Sequence, residues 1–238
     1  PDITDPPELP IVDEVAEDVT PPDIVEPAGC PVPRPILLVH GINGSSANYD
    51  VMAARLIEDG WPAELVHRFD AVDPGWTCNV DNAAAIAEQV TQILADTGFD
   101  RVDLIAHSMG TLSTRYFLKK LGGSALVNTY ITLGGMNHGL LSPCFAPDFL
   151  GVCVWSELCQ SGAFVTELNA EPATPGPAMW FSMFGTADAT VPNDSSHLEG
   201  ATNLSFEGVE HSGPNGLLEV PEVYTAILEA LDQPCWVE

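Results

Sequence analysis

Apolar positions along the chain fall into two alternating patterns. Short unbroken runs close on glycine or histidine: "PILLVHG" from residue 35, "RVDLIAH" from 101, "LVNTYITLGG" from 126 and "AMWFSMFG" from 178. "PILLVHG" is continuously apolar, which predicts a strand covered on both faces rather than one half-exposed to water, and the other three read as strands beside it. "AELVHRF" from 63 and "TNLSFEG" from 202 are more polar strand candidates, which brings the expected sheet to about six strands. Between the runs the spacing becomes helical. Tyr49, Met52, Ala53, Leu56 and Ile57 predict a helix over about 48 to 59, stopped by Gly60. Ile86, Val90, Ile93 and Leu94 predict a second, running to about 96, with Asp81 or Asn82 as its cap. "MGTLSTRYFLKKLGG" reads as a third, ended by Gly122 and Gly123, and Val223, Ile227, Leu228 and Leu231 place a last one behind Pro221. Strand and helix alternate, so the expected fold class is α/β: a mostly parallel sheet of about six strands with helices on both faces.

Two stretches break this rhythm. Residues 135 to 162 are rich in Gly, Pro and Cys and exceed an ordinary connection, so the segment is either functional or held by bridges. Residues 1 to 29 hold nine carboxylates, no Lys or Arg, and prolines at 1, 6, 7, 10, 21, 22 and 27. That composition disfavours helix and predicts an extended acidic arm, leaving residues 30 to 238 as one domain. The arm reads either as a spacer between a secreted domain and an export signal or surface tether, or as a leader without a role. A first residue of Pro rather than Met implies processing or truncation.

Composition narrows the partners. Asp and Glu outnumber Lys and Arg by 34 to 7, a formal charge of −27, and that field repels nucleic-acid phosphates and anionic headgroups. No apolar run reaches the roughly 18 residues of a membrane span, so no transmembrane segment is expected. Six cysteines, at 30, 78, 144, 153, 159 and 235, form no CxxC pair, and none stands at zinc-ligand spacing from a histidine. They point to disulfides and a place outside the cytosol, with their pairing left open.

The chemistry begins at "LIAHSMG", residues 104 to 110. Ser108 would sit at the carboxyl end of a strand with a helix starting directly after it, the place where open parallel sheets gather ligands. Ala106 takes the first small position of the usual Gly-x-Ser-x-Gly elbow. A serine hydroxyl needs a histidine base and a carboxylate to fix that base's tautomer, in the order Ser, acid, His. Asp188 in "GTADATVP" and His211 in "VEHSGPNG" each follow a predicted strand in that order, with Asp194 the rival acid. His40 fits a brace for the loop after the first strand, His107 adjoins the serine too closely to be its base, and His138 and His197 fit structural loop roles. Backbone N–H groups of Met109 and Ile42 would serve as the oxyanion hole.

Together "LVHGINGSSANYD", "LIAHSMGTLSTRYFLKKLGG", "TLGGMNHGL", "GTADATVPNDSSHLEGATN" and "GVEHSG" resemble the small secreted bacterial lipases of the α/β-hydrolase superfamily, the Bacillus-type and related class 2 lipases, over about residues 35 to 232. The resemblance implies Ser108 as nucleophile, Asp188 as orienting acid, His211 as general base, and Ile42 and Met109 as oxyanion donors. It implies a minimal α/β-hydrolase acting on ester substrate, including substrate at an oil–water interface. "PNDSSHLEG" resembles a segment near a calcium site in some larger lipases, but the carboxylates around Asp194 and Glu199 fall short of the six to eight oxygens calcium takes, so neither metal nor cofactor is expected, and a monomer is expected with the oligomeric state left open. Three readings of activity follow: a lipase for acylglycerols, an esterase for short soluble esters or polyesters, and a non-catalytic surface binding protein on the same scaffold. Met136, Leu140, Leu141, Phe145, Phe149, Leu150, Val154 and Trp155 form either an acyl groove and rim or the small core of a stapled loop; whether 135 to 162 is a lid is left open.

Overall fold

All six expected strands form, as β1 (Ile36–Val39), β2 (Val66–Phe69), β3 (Val102–His107), β4 (Val127–Leu133), β5 (Met179–Gly185) and β6 (Thr202–Phe206). They make one wholly parallel sheet in the order β2-β1-β3-β4-β5-β6. The structure, a computed structural model, describes residues 33–73, 75–145 and 153–232. The acidic arm, Cys30, Phe149, Leu150 and Cys235 lie outside the described residues.

The continuous apolar runs turn out to hide a two-residue period. Leu37, Val39, Leu104, Ala106, Tyr130 and Trp180 enter one core, on the face covered by α2 (Asn79–Thr97) and α3 (Gly110–Lys120). Their neighbours Ile36, Leu38, Ile105, Ile131, Leu133 and Met183 enter the other, under α1 (Asp50–Glu58) and α7 (Pro221–Leu231). Both sets are apolar because both faces of the sheet are covered. Before β1, Arg34 lies buried against Asp103 of β3, Nε to Oδ2 2.9 Å, and donates through Nη2 to the carbonyl of Leu231 at 2.6 Å. This links the sheet's first strand to its last helix.

One boundary differs from expectation. α2 starts at Asn79 with Cys78 as N-cap, so Asp81 and Asn82 lie within its first turn instead of capping it. The cap arrives from elsewhere: Glu157 Oε2 accepts the Asn79 backbone N–H at 2.5 Å and its side-chain Nδ2 at 3.0 Å. A carboxylate at a helix start satisfies open donors and opposes the positive end of the helix dipole. Burial pushes Glu157 above the ordinary carboxylate range, against the pull of the Asn79 hydrogen bonds.

Glu157 belongs to the irregular segment, which is partly ordered as a 3-10 turn (Ser142–Phe145) and α4 (Cys153–Leu158), with α5 (Ala163–Asn169) following. The expected stapling is present. Cys144–Cys159 closes the segment on itself and Cys78–Cys153 ties it to the start of α2. Bridges of this kind contribute about 2–4 kcal/mol each. The six of these apolar residues that are described divide between burial and exposure. Met136 and Val154 are buried in a third core with Met109, Leu112 and Leu158, Leu140 packs at its edge, and Leu141, Phe145 and Trp155 are exposed.

Candidate active site

Four strand ends on one side of the sheet carry the residues singled out from the sequence. β3 ends at His107 and α3 begins at Gly110, which leaves Ser108 in the tight turn between them. Its φ is 55°, a left-handed conformation that few non-glycine residues adopt and that persists only where the surroundings fix it. Here the Ser108 N–H donates to Leu133 O at 3.0 Å, and the Ser108 carbonyl accepts from the Thr111 N–H and hydroxyl at 3.2 and 2.7 Å. Ala106 is fully buried between β1 and β4, which explains the need for a small residue there. Gly41 passes so close that a Cβ on it would lie 2.7 Å from Ser108 Cβ. Glycine at this point lets the loop after β1 approach the serine.

That loop brings Ile42 to the wall of a cleft of about 280 Å³, which Ser108, His107, Thr190 and His211 also line. Among the described residues, neither the Ile42 nor the Met109 backbone N–H is taken up by a hydrogen bond. His40 holds the loop in place as expected. Its Nε2 accepts the Ala71 N–H at 3.2 Å, so Nδ1 carries the ring proton and donates to Gly41 O at 2.8 Å.

Asp188 follows β5 and His211 follows β6, and their side chains meet, Nδ1 to Oδ2 2.6 Å. Asp188 Oδ1 accepts the N–H groups of Thr190 and Val191, each at 2.8 Å. Burial would raise this carboxyl, but the His211 bond and the two amides outweigh it and hold Asp188 below its ordinary value. The rival Asp194 lies in α6 (Asn193–Ser196), while His138 pairs with Glu199 at 3.3 Å. Sequence reasoning passed over Gly134, at the end of β4. With φ at +53°, a Cβ there would lie 3.0 Å from His211 Nδ1 and 3.1 Å from Asp188 Oδ2. The glycine pair in "TLGG" was the available signal: it leaves room for the acid–histidine bond.

His107 also has more to do than its position next to the serine suggested. Its Nε2 lies 3.1 Å from the His211 carbonyl, and since a carbonyl only accepts, Nε2 carries the hydrogen. The two imidazoles sit with centroids 4.5 Å apart. Burial, with His211 beside it, pushes His107 down to about 3, so it is neutral at working pH. Because the unfolded histidine titrates near 6.5, the unfolded chain takes up a proton that the folded chain refuses. This histidine therefore makes stability fall as pH drops from about 6.5 towards 3, by on the order of 4 kcal/mol at the end of that window. Urea denaturation at pH 7 and pH 4.5 should show a smaller acid loss in His107→Gln than in the parent; equal losses would refute the assignment.

A wholly parallel sheet with a strained serine turn after β3, a carboxylate after β5 and a histidine after β6 defines the α/β-hydrolase class. Within it, the class 2 lipase family matches residues 33–211, and the chain belongs to that family. It is 28% identical over 176 residues to a triacylglycerol lipase of Pseudomonas fragi, covering 70% of this chain. The chain spans 58% of that relative's length. Among solved structures, the mature form of Bacillus licheniformis lipase BlEst2 superposes with a TM-score of 0.67 at 20% identity, over 83% of this chain and 91% of that one. Aspergillus fumigatus lipase B gives a TM-score of 0.69 at 17% identity, over 85% and 53%. These likenesses establish the fold.

Proposed function

We propose that the protein is a secreted serine carboxylester hydrolase of lipase type, cleaving acylglycerol esters through an acyl-enzyme on Ser108. The observation that carries this reading is the Asp188–His211 bond of 2.6 Å at the mouth of the cleft that Ser108 lines from its strained turn. In the first half-reaction, His211 removes the Ser108 hydroxyl proton as Oγ attacks the ester carbonyl, then delivers that proton to the departing alcohol. In the second, His211 takes a proton from water, hydroxide attacks the acyl-enzyme, and Ser108 regains its proton as the acid leaves. Asp188 keeps the hydrogen on Nδ1, so that Nε2 is free to act as base. The Ile42 and Met109 amides take the charge of each tetrahedral intermediate, a contribution of about 3–4 kcal/mol per donor in comparable sites.

Location outside the cytosol is supported by the two described bridges, which form and persist in oxidising surroundings. Among the described residues no helix is long and apolar enough to cross a membrane.

Hydrolysis of an acyl series from two to sixteen carbons, below and above each ester's solubility limit, tests the proposal beside labelling with an alkylphosphonate. Rates that climb with long or emulsified chains, together with one phosphonate on Ser108, are the expected result. Turnover confined to dissolved short esters would make it an esterase. Absence of both turnover and label in folded protein would leave a binding protein on a hydrolase scaffold.

A further inference from the structure

The cleft at Ser108 is small and its walls are mostly polar. At about 280 Å³ it takes one part of an acylglycerol rather than the whole molecule. Ile42 is the one large apolar side chain among its described lining residues. Asn43, Asn48, Thr190 and Ser212 supply amides and hydroxyls, and among the described residues no Lys, Arg, Asp or Glu lines it. Which part of the ester enters follows from the proton. The leaving alcohol oxygen has to come within hydrogen-bond reach of His211 to receive it. Ser212 adjoins that histidine, and Thr190 belongs to the turn whose amides hold Asp188. The alcohol therefore lies against these two hydroxyls, with the loop after β1 as the cleft's other polar wall.

Asn43 stands out on that loop. Among the described residues, it and Ser108 are the two non-glycine residues with a left-handed φ, each at 55°, and both line this cleft. Such conformations cost energy and gather at functional sites. The Asn43 side chain is exposed and takes no hydrogen bond among the described residues. Gly75 backs it closely: a Cβ there would collide with Asn43 Oδ1. Asn48 accepts the Ser45 N–H through Oδ1 at 2.7 Å, which leaves its Nδ2 free to donate. The Thr190 and Ser212 hydroxyls likewise bond to nothing among the described residues. An alcohol with bare carbon beyond its ester oxygen would cover these groups and give them no partner, whereas a neutral polyol replaces their water with its own hydroxyls. We infer that the cleft seats the alcohol part of the ester, with Asn43 as its specificity-determining residue, and favours alcohols that carry free hydroxyl groups, as in a partial acylglycerol. The inference deepens the ester-hydrolase reading and rests on it.

Monobutyrin and propyl butyrate, both dissolved, test it in the full chain. They share an acyl group, hence an acyl-enzyme, and differ only in the hydroxyls of the alcohol. The readout is the ratio of their kcat/KM values, divided by the ratio of their hydroxide-catalysed rates to remove intrinsic reactivity. Being a ratio, it does not depend on how much of a preparation is folded. The parent should favour monobutyrin by at least about tenfold, the worth of two net hydrogen bonds. Asn43→Gly, which keeps the left-handed backbone and removes the amide, should lower that ratio by at least about threefold. Thr190→Val, which removes one hydroxyl at nearly constant shape, should lower it in the same direction. A corrected parent ratio of one or below, or a parent-like ratio in either variant, overturns the inference. An enzyme that takes the alkylphosphonate on Ser108 and turns over both esters equally keeps the hydrolase reading and loses the alcohol seat. Absence of both turnover and label removes the two together.

Discussion

Ser108→Ala lowers turnover of a dissolved ester by on the order of 10⁵-fold, with the fold retained. Alanine keeps the Cβ and faces the same left-handed φ of 55°, so the turn neither gains nor loses backbone strain. What disappears is the oxygen proposed to form the acyl-enzyme. Asp188→Asn acts at one remove. The amide can present N–H to His211 Nδ1 in place of a carboxylate oxygen, which favours the tautomer with its hydrogen on Nε2, and a loss of about 10⁴-fold is expected. Because the residues act as one unit, the double variant should be hardly slower than Ser108→Ala alone. Turnover with active-site titration, beside a thermal melt, checks all three. Retention of more than a hundredth of the parent rate by folded Ser108→Ala would sink the mechanism.

Asp103→Leu destabilises the protein by about 3–5 kcal/mol, because it strands a buried charge. Arg34 and Asp103 are 1% and 0% exposed, and Asp103 also accepts the Thr129 N–H at 3.1 Å. Without the carboxylate, the Arg34 guanidinium keeps the Leu231 carbonyl as its described partner, in surroundings with little water. Removing both charges, as Arg34→Met with Asp103→Leu, should recover most of the loss, since the desolvation cost disappears with the pair. Burial raises Asp103 to about 6 despite Arg34. The folded state thus holds this proton more tightly than the unfolded chain, whose carboxyl titrates near 3.9. Its contribution is complete below that value and is lost as pH rises through about 6. Denaturation of parent and double variant between pH 4 and 7 should show this falling component in the parent alone. A single variant as stable as the parent would refute the energetic role of the pair.

The sheet was legible because its central strands are written in largely apolar local runs, unbroken in β1, and runs of that kind imply a sheet covered on both faces. The meeting of Asp188 with His211 was legible through order and placement at strand ends, where this class of fold gathers its chemistry. What escaped depends on contacts between distant parts of the chain. Nothing near residue 79 announces that Glu157 will cap α2, so local reasoning put the cap at Asp81 or Asn82. His107 gave no sign that it would hold the His211 carbonyl, since that bond spans 104 residues. The division of the cysteine-bearing segment into buried Met136 and Val154 and exposed Phe145 and Trp155 depends on which of them pack with Met109, Leu112 and Leu158 in the third core, and spacing alone does not fix those contacts.

The cap supplied by Glu157 also bears on how the chain comes together in time. Glu157 trails Asn79 by 78 residues, so at a synthesis rate of about 5–20 residues per second the start of α2 waits roughly 4–16 s for its partner. Until then the first turn of that helix has its N–H groups open to solvent, although its inner face can already rest on the sheet. A fragment that stops before residue 157 would contain every residue of α2 and still carry a frayed beginning.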